Sequence, residues 1–143
     1  MADKKVVEQL GQVPLLADLS RWDLGRIASQ GREVQHPPGH EVTEEGGRAV
    51  GFHLVLDGGA EVEIGGESRA ALKAGDYFGE ISLIDGKPRT ATVRAGADGM
   101  RTFALQAGEF SAILDKHPEL ARPLLLTLCG RLREAEERGR ERH

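Results

Sequence analysis

The chain has 143 residues, a length suited to one domain with a modest core, and its 39% hydrophobic and 29% charged content is that of an ordinary globular protein. A net charge of −4 argues against the broad basic face of a nucleic-acid binder. One cysteine, Cys129, excludes an internal disulfide and fits a reducing, cytoplasmic compartment.

The opening MADKKVVEQL is charged and lacks an apolar core, so no secretory signal is expected. The longest apolar run, LLLTLC, is too short to span a membrane. Residues 4–30 predict helix in two or three short pieces. Val6, Val7 and Leu10 form one apolar group, and Pro14 marks a break. Ser20 is placed to cap a helix over RWDLGRIASQ, where Leu24, Ile27 and Ala28 recur at helical spacing with Trp22 off the stripe. Gly31 is the expected stop.

From Arg32 the period becomes that of strands. His36-Pro37-Pro38-Gly39-His40 reads as a turn. The run from Phe52 to Leu56 and the run from Ala60 to Ile64 read as strands around an Asp57-Gly58-Gly59 turn. Gly65-Gly66 makes another turn, and Ala70-Ala71-Leu72 a short strand. Two more strands are expected, one from Thr90 to Ala95 and one from Arg101 to Leu105. Short strands at near-regular spacing with glycine turns predict a mainly β sandwich or jelly roll.

Residues 109–115 predict a short helix, and Pro118 opens a long one. Leu125, Leu128, Leu132 and Ala135 form a stripe expected to pack on the chain's own strands, or otherwise on a second copy. Cys129 is expected in the core beside it. Beyond, REAEERGRERH is almost wholly charged and is expected to fray. The whole reads as one domain, 1–143, with N-terminal helices over 1–31, strands over 32–106 and C-terminal helices over 107–143.

Residues 78–95, FGEISLIDGKPRTATVRA, place one acid and one arginine, Glu80 and Arg89, in an otherwise apolar, strand-like run. Such charges are costly unless paired. Residues 81–84 can make one helical turn, whose first amides attract an anion. Gly79 lets the backbone approach closely, and Arg89 can fork onto two phosphate oxygens. An ionised Glu80 only accepts, which suits a sugar hydroxyl. Acceptor, amides and fork describe a pocket for a ribose phosphate. An internal Glu80–Arg89 ion pair is the other arrangement these residues allow.

This stretch resembles the phosphate-binding cassette of the cyclic nucleotide-binding domain family, with its F-G-E-hydrophobic-small-L…P-R-x-A-T-V pattern. PLLADLS, PPGHEVTEEGG, FHLVLDGGAEVEI and KAGDYFGE resemble the family's other successive elements. The family includes bacterial cyclic-AMP receptor proteins, kinase regulatory subunits and gated channels. The resemblance implies a jelly-roll (double-stranded β-helix) barrel flanked by helices, with cyclic AMP or cyclic GMP as ligand and no further cofactor. It implies that Glu80 binds the ribose 2′-hydroxyl and Arg89 the cyclic phosphate. Amides of Ser82 and Ala91 would complete the cradle, with Gly79 and Ile81 lining the ribose side. Thr90 would meet phosphate or a guanine amino group, or else fill a strand.

For the base, Arg131 and Arg133 are candidates from the last helix, although arginines on a helical face are usually solvated. The resemblance places Ala135 where bacterial receptors carry a purine-contacting threonine, so their contact is not copied here. No helix-turn-helix follows the long helix, so DNA binding is not expected. His36 and His40 flank a proline turn and His53 reads as alone on its strand, which makes no metal site. No nucleophile and base are paired, so no enzyme is expected. A non-binding assembly domain is the remaining rival. For a sensor the expected partners are a separate effector protein or a second copy through the C-terminal helix.

Overall fold

The computed structural model of the protein describes residues 4–43, 51–79 and 91–141. Helix α1 (Lys4–Gln12) buries Val6, Val7 and Leu10 on one face. A 3-10 turn at Pro14–Leu16 follows, where proline supplies a helical φ at a position that needs no N–H. Helix α2 (Arg21–Gln30) begins at the expected cap. The Ser20 hydroxyl oxygen accepts from the Asp23 backbone N–H at 3.1 Å, and the hydroxyl donates to the Asp23 carboxylate at 3.0 Å. Trp22 is 66% exposed and bridges two helices, with Arg26 at 4.9 Å and Lys116 at 5.7 Å from its ring centre.

Gly31 does end α2, but its backbone is extended (φ −111°, ψ −166°) rather than left-handed. What requires glycine is space. A Cβ there would lie 2.5 Å from the Ala104 carbonyl oxygen and from the Phe103 ring.

Among the described residues six strands follow: β1 (Arg32–His36), β2 (Glu41–Thr43), β3 (Gly51–Ile64), β4 (Glu67–Lys73), β5 (Tyr77–Phe78) and β6 (Thr92–Gln106). Every pairing is antiparallel, in the order β1-β6-β3-β4, with β2 also on β6 and β5 also on β3. Gly65 and Gly66 have φ of 61° and 81°, as a tight β3–β4 hairpin needs.

Two expected interruptions are absent. Asp57-Gly58-Gly59 is a bulge inside β3, not a turn, and the two strands expected after residue 90 are one, β6. The register shifts between Val55 and Asp57 and again between Gly58 and Ala60. Gly58, paired with Met100, and Gly99 have φ of 73° and 75°, and a Cβ on Gly58 would sit 2.3 Å from the Gly99 carbonyl oxygen. The β3–β6 register jumps here from Gly58–Met100 to Ala60–Ala95, and these glycines let the two long strands bend at the shift.

The alternation of β3 divides the core in two. Phe52, Leu54 and Leu56, with Phe103 and Leu105 of β6, meet the helices through Leu10, Leu16, Ile27 and Ile113. The Phe52 ring stacks on Phe110 at 4.5 Å between centres. On the other face Val55, Ala60, Leu72, Phe78, Val93, Ala95 and Met100 form a second cluster. Each large side chain so covered contributes on the order of 1.5–3 kcal/mol.

A polar group is buried between these strands. Thr102 is fully buried, and its hydroxyl lies 3.0 Å from His36 Nε2 and 3.0 Å from His53 Nδ1. One hydroxyl hydrogen serves one ring nitrogen, so one histidine accepts and the other donates. Burial, and then the nearby His40, lower the His36 pKa below its ordinary 6.5. The unfolded chain therefore takes up this proton first as pH falls. The contribution is complete above about pH 6.5 and is lost as pH drops below it towards the folded value. The melting temperature is expected to fall between about pH 7.5 and 5.5, and less steeply in His36→Gln. Equal slopes in thermal melts of the two proteins would remove His36 as the cause.

Helix α3 (Ala107–Lys116) buries Phe110 and Ile113. Pro118 opens a 3-10 turn, Pro118–Leu120, and α4 (Ala121–Glu141) follows it. Leu120 and Leu124 enter the first core. The stripe expected to pack does not: Leu125 and Leu132 are each 61% exposed, Ala135 is exposed and Leu128 is half-buried. Cys129 is exposed too, because it lies about 140° around the helix from Leu124. The charged end, expected to fray, is helical as far as Glu141. Glu134 with Arg138, and Glu136 with Arg140, have the i,i+4 order that favours helix. Among the described residues no helix is long and apolar enough to cross a membrane.

Candidate functional site

Glu80, Ile81, Ser82, Arg89 and Thr90 lie outside the described residues, as does the helical turn expected at 81–84. The described residues give the frame that holds them. Its lead-in is the turn before β5. The Asp76 carboxylate accepts from the Lys73 N–H at 2.9 Å, and the Asp76 N–H donates to the Lys73 carbonyl at 3.0 Å. Val55 donates to the Asp76 carbonyl at 2.8 Å and accepts from the Gly75 N–H at 2.9 Å, so this turn is stitched to β3.

Tyr77 then pairs with Leu54, and Phe78 with His53. The Phe78 and His53 rings are nearly parallel, 5° apart in plane and 4.8 Å between centres. Gly79 turns the chain with φ of 97°, a region that residues with a Cβ avoid at a cost of roughly 1–2 kcal/mol. On the far side Ala91 leads into β6, where Thr92 pairs with Glu63 and Val93 with Val62. Both ends of the segment are thus fixed on one strand, β3. Phe78 and Val93 are core residues of the second cluster.

Arg94, the second arginine of the stretch, is fully engaged. Its Nη2 donates to Glu41 at 2.8 Å, its Nε to Glu63 at 3.4 Å and its Nη1 to the Gly39 carbonyl at 3.3 Å. Hydrogen bonds donated to Glu63 and then to Glu41 raise its pKa further. It ties β2 and β3 to β6, and no free fork is left to hold an anion.

The three candidates for a base contact separate. Arg131 donates to the Tyr77 carbonyl at 3.2 Å and lies 5.9 Å from the Tyr77 ring centre. Arg133 and Ala135 are exposed. The sequence gives no sign of the Arg131 contact, which joins residues 54 positions apart. It also reads His53 as isolated, whereas strand register brings it to Thr102 and within 5.7 Å of the His36 ring. His36 and His40 stack at 6.1 Å across their proline turn. Even so, among the described residues no group of three or more His, Cys, Asp or Glu is arranged to hold a metal ion.

Comparison with known proteins places this frame. A cAMP-dependent protein kinase regulatory subunit of Yarrowia lipolytica is 43% identical over 88 residues, covering 60% of this chain and 24% of that protein. The chain thus spans less than a third of the length of the curated relatives it matches first. Among solved structures, a cAMP-bound PfPKA-R fragment superposes with a TM-score of 0.86 at 24% identity, over 95% of this chain and 47% of that one. The Thermus thermophilus catabolite activator protein gives 0.75 at 28% identity, over 87% and 61%. The antiparallel strands with their flanking helices are therefore the jelly roll that the cassette resemblance implies. The profile of the cyclic nucleotide-binding domain matches residues 33–117, which run from β1 through the whole frame to the end of α3. This chain belongs to the cyclic nucleotide-binding domain family.

Proposed function

We propose that the chain binds a cyclic purine nucleotide, cyclic AMP ahead of cyclic GMP, and acts as a regulatory sensor rather than an enzyme. The observation that carries this is the stretch FGEISLIDGKPRTATVRA, with Glu80 and Arg89 both present, which runs from β5 into β6, both paired to β3. Glu80 accepts from the ribose 2′-hydroxyl and Arg89 forks onto the cyclic phosphate. The amides of Ser82 and Ala91 complete the cradle, Gly79 and Ile81 line the ribose side, and Thr90 adds a hydroxyl near the phosphate. Solved structures of this fold include a cAMP-bound kinase regulatory fragment, and relatives at 36–43% identity are cAMP-dependent protein kinase regulatory subunits, which supports this ligand class.

Ligand engages residues 79–91, and α4 closes over the base because it makes better contacts in the bound state. Amide exchange over 118–135 that saturating nucleotide leaves unchanged would remove that closing step. The signal passes to a separate effector protein or to a second copy. The exposed Leu125, Leu126 and Leu132 of α4 favour the second copy. Elution from a sizing column that shifts with concentration is the check. The lone cysteine suits a sensor working in the reducing cytoplasm.

Calorimetric titration of nucleotide-free protein with cyclic AMP and with cyclic GMP tests the reading. Saturable binding at micromolar or lower concentration is expected, tighter for cyclic AMP. No heat with either, from folded protein, would turn the reading to a non-binding assembly domain.

A further inference from the structure

We propose that Arg131 is a positioning residue that latches α4 to strand β5 and so holds the helix at the edge of the cassette. This rests on the nucleotide-binding reading for its functional meaning, while the latch itself stands on geometry.

Leu124 is the last residue of α4, among those described, to enter the apolar core. Beyond it the helix presents Leu125, Leu126, Cys129 and Leu132 to solvent. Among the described residues, two guanidinium groups of α4 donate to strand carbonyls: Arg131 to that of Tyr77 at 3.2 Å, and Arg138 to that of Arg69 on β4 at 3.5 Å. A contact at 3.5 Å is at the long limit of a hydrogen bond, so Arg131 is the stronger of the two. It also lies over the Tyr77 ring, and a planar guanidinium can serve a carbonyl and a ring together where an ammonium serves one well.

The place of attachment gives the latch its function. Tyr77 is buried, is paired with Leu54 on β3, and stands two residues before Gly79, where the chain turns into the cassette. A ligand that shifts the cassette's lead-in shifts the Tyr77 carbonyl, and Arg131 passes that shift to the far half of α4. Arg131 thus acts on the pocket through β5 and not by touching the base.

Cys129 is the one cysteine of the chain, is exposed, and lies two residues from Arg131, so it takes a nitroxide label without further substitution. In ligand-free protein, Arg131→Ala is expected to mobilise that label and to speed amide exchange over 125–141 at least tenfold. Exchange in β3 and β6 should be unchanged, and Arg131→Lys should fall between Ala and wild type. With nucleotide, Arg131→Ala should weaken cyclic AMP and cyclic GMP by the same several-fold factor. An α4 equally ordered in ligand-free wild type and Arg131→Ala would overturn the latch. So would a loss confined to one base, which would make Arg131 a base contact. A wild type that binds neither nucleotide would overturn the nucleotide reading instead, while the ligand-free comparison would still decide the latch.

Discussion

Arg89→Ala is expected to weaken cyclic-nucleotide binding by roughly 2–5 kcal/mol, about thirtyfold to several thousandfold. The cyclic phosphate keeps one negative charge and gives up its water on entering the pocket, so the charge needs a partner inside. A guanidinium meets two of its oxygens at once, which no alanine variant can recover through solvent. Arg94 is committed to Glu41, Glu63 and the Gly39 carbonyl. Glu80→Gln should lose much less, because an amide oxygen still accepts from a hydroxyl. Calorimetry on both variants, with melts to show that each folds, separates the two roles. Near-native affinity in Arg89→Ala would discard the phosphate assignment.

Gly58→Ala is expected to be the most damaging single-methyl change in the sheet. The residue has φ of 73°, which costs a Cβ roughly 1–2 kcal/mol by itself. The added carbon would lie 2.3 Å from the Gly99 carbonyl oxygen and 3.1 Å from the Met100 Cα. Both neighbours are backbone of β6, so no side chain can swing aside, and overpacking adds about 1–3 kcal/mol. The sum, roughly 2–5 kcal/mol, corresponds to a fall in melting temperature of about 5–15 °C for a chain of this size. Gly130→Ala is the matched control. It stands in α4 with nothing within 4 Å of its missing Cβ, and should stabilise slightly. A Gly58→Ala protein as stable as wild type would mean that the bulge is not needed to bend the strands.

Much of this fold is legible in the sequence, and what is not has a common cause. The Ser20 cap, the Gly65-Gly66 hairpin and the proline breaks rest on neighbours in the chain, and local chemistry announces them. Asp57-Gly58-Gly59 has the composition of a turn, and only the presence of β6 alongside makes it a bulge. The face of α4 is similar. With leucine at 124, 125, 126, 128 and 132, several stripes have acceptable helical spacing. The Pro118–Leu120 turn, which aims the helix, puts Leu124 inside and Leu125 out. Glu80 and Arg89 stand out because charges in an apolar run are conspicuous. His36, Thr102 and His53 do not, because three separate strands must reach register before they meet.

That long-range pairing bears on how the chain is made. His36 of β1 meets its partner Thr102 across 66 positions of sequence. At roughly 5–20 residues per second, a ribosome takes about 3–13 s to supply the second after the first. Through that interval β1 has no strand to join, and its Arg32, Glu33 and Gln35 leave it a polar edge that resists mispairing. The start of β3 is less protected, since Phe52, Leu54, Val55 and Leu56 are apolar and await β6 as well. The hazard of aggregation is therefore concentrated in FHLVL during synthesis, and it is this stretch that a nascent-chain chaperone would be expected to cover until Gln106 has emerged.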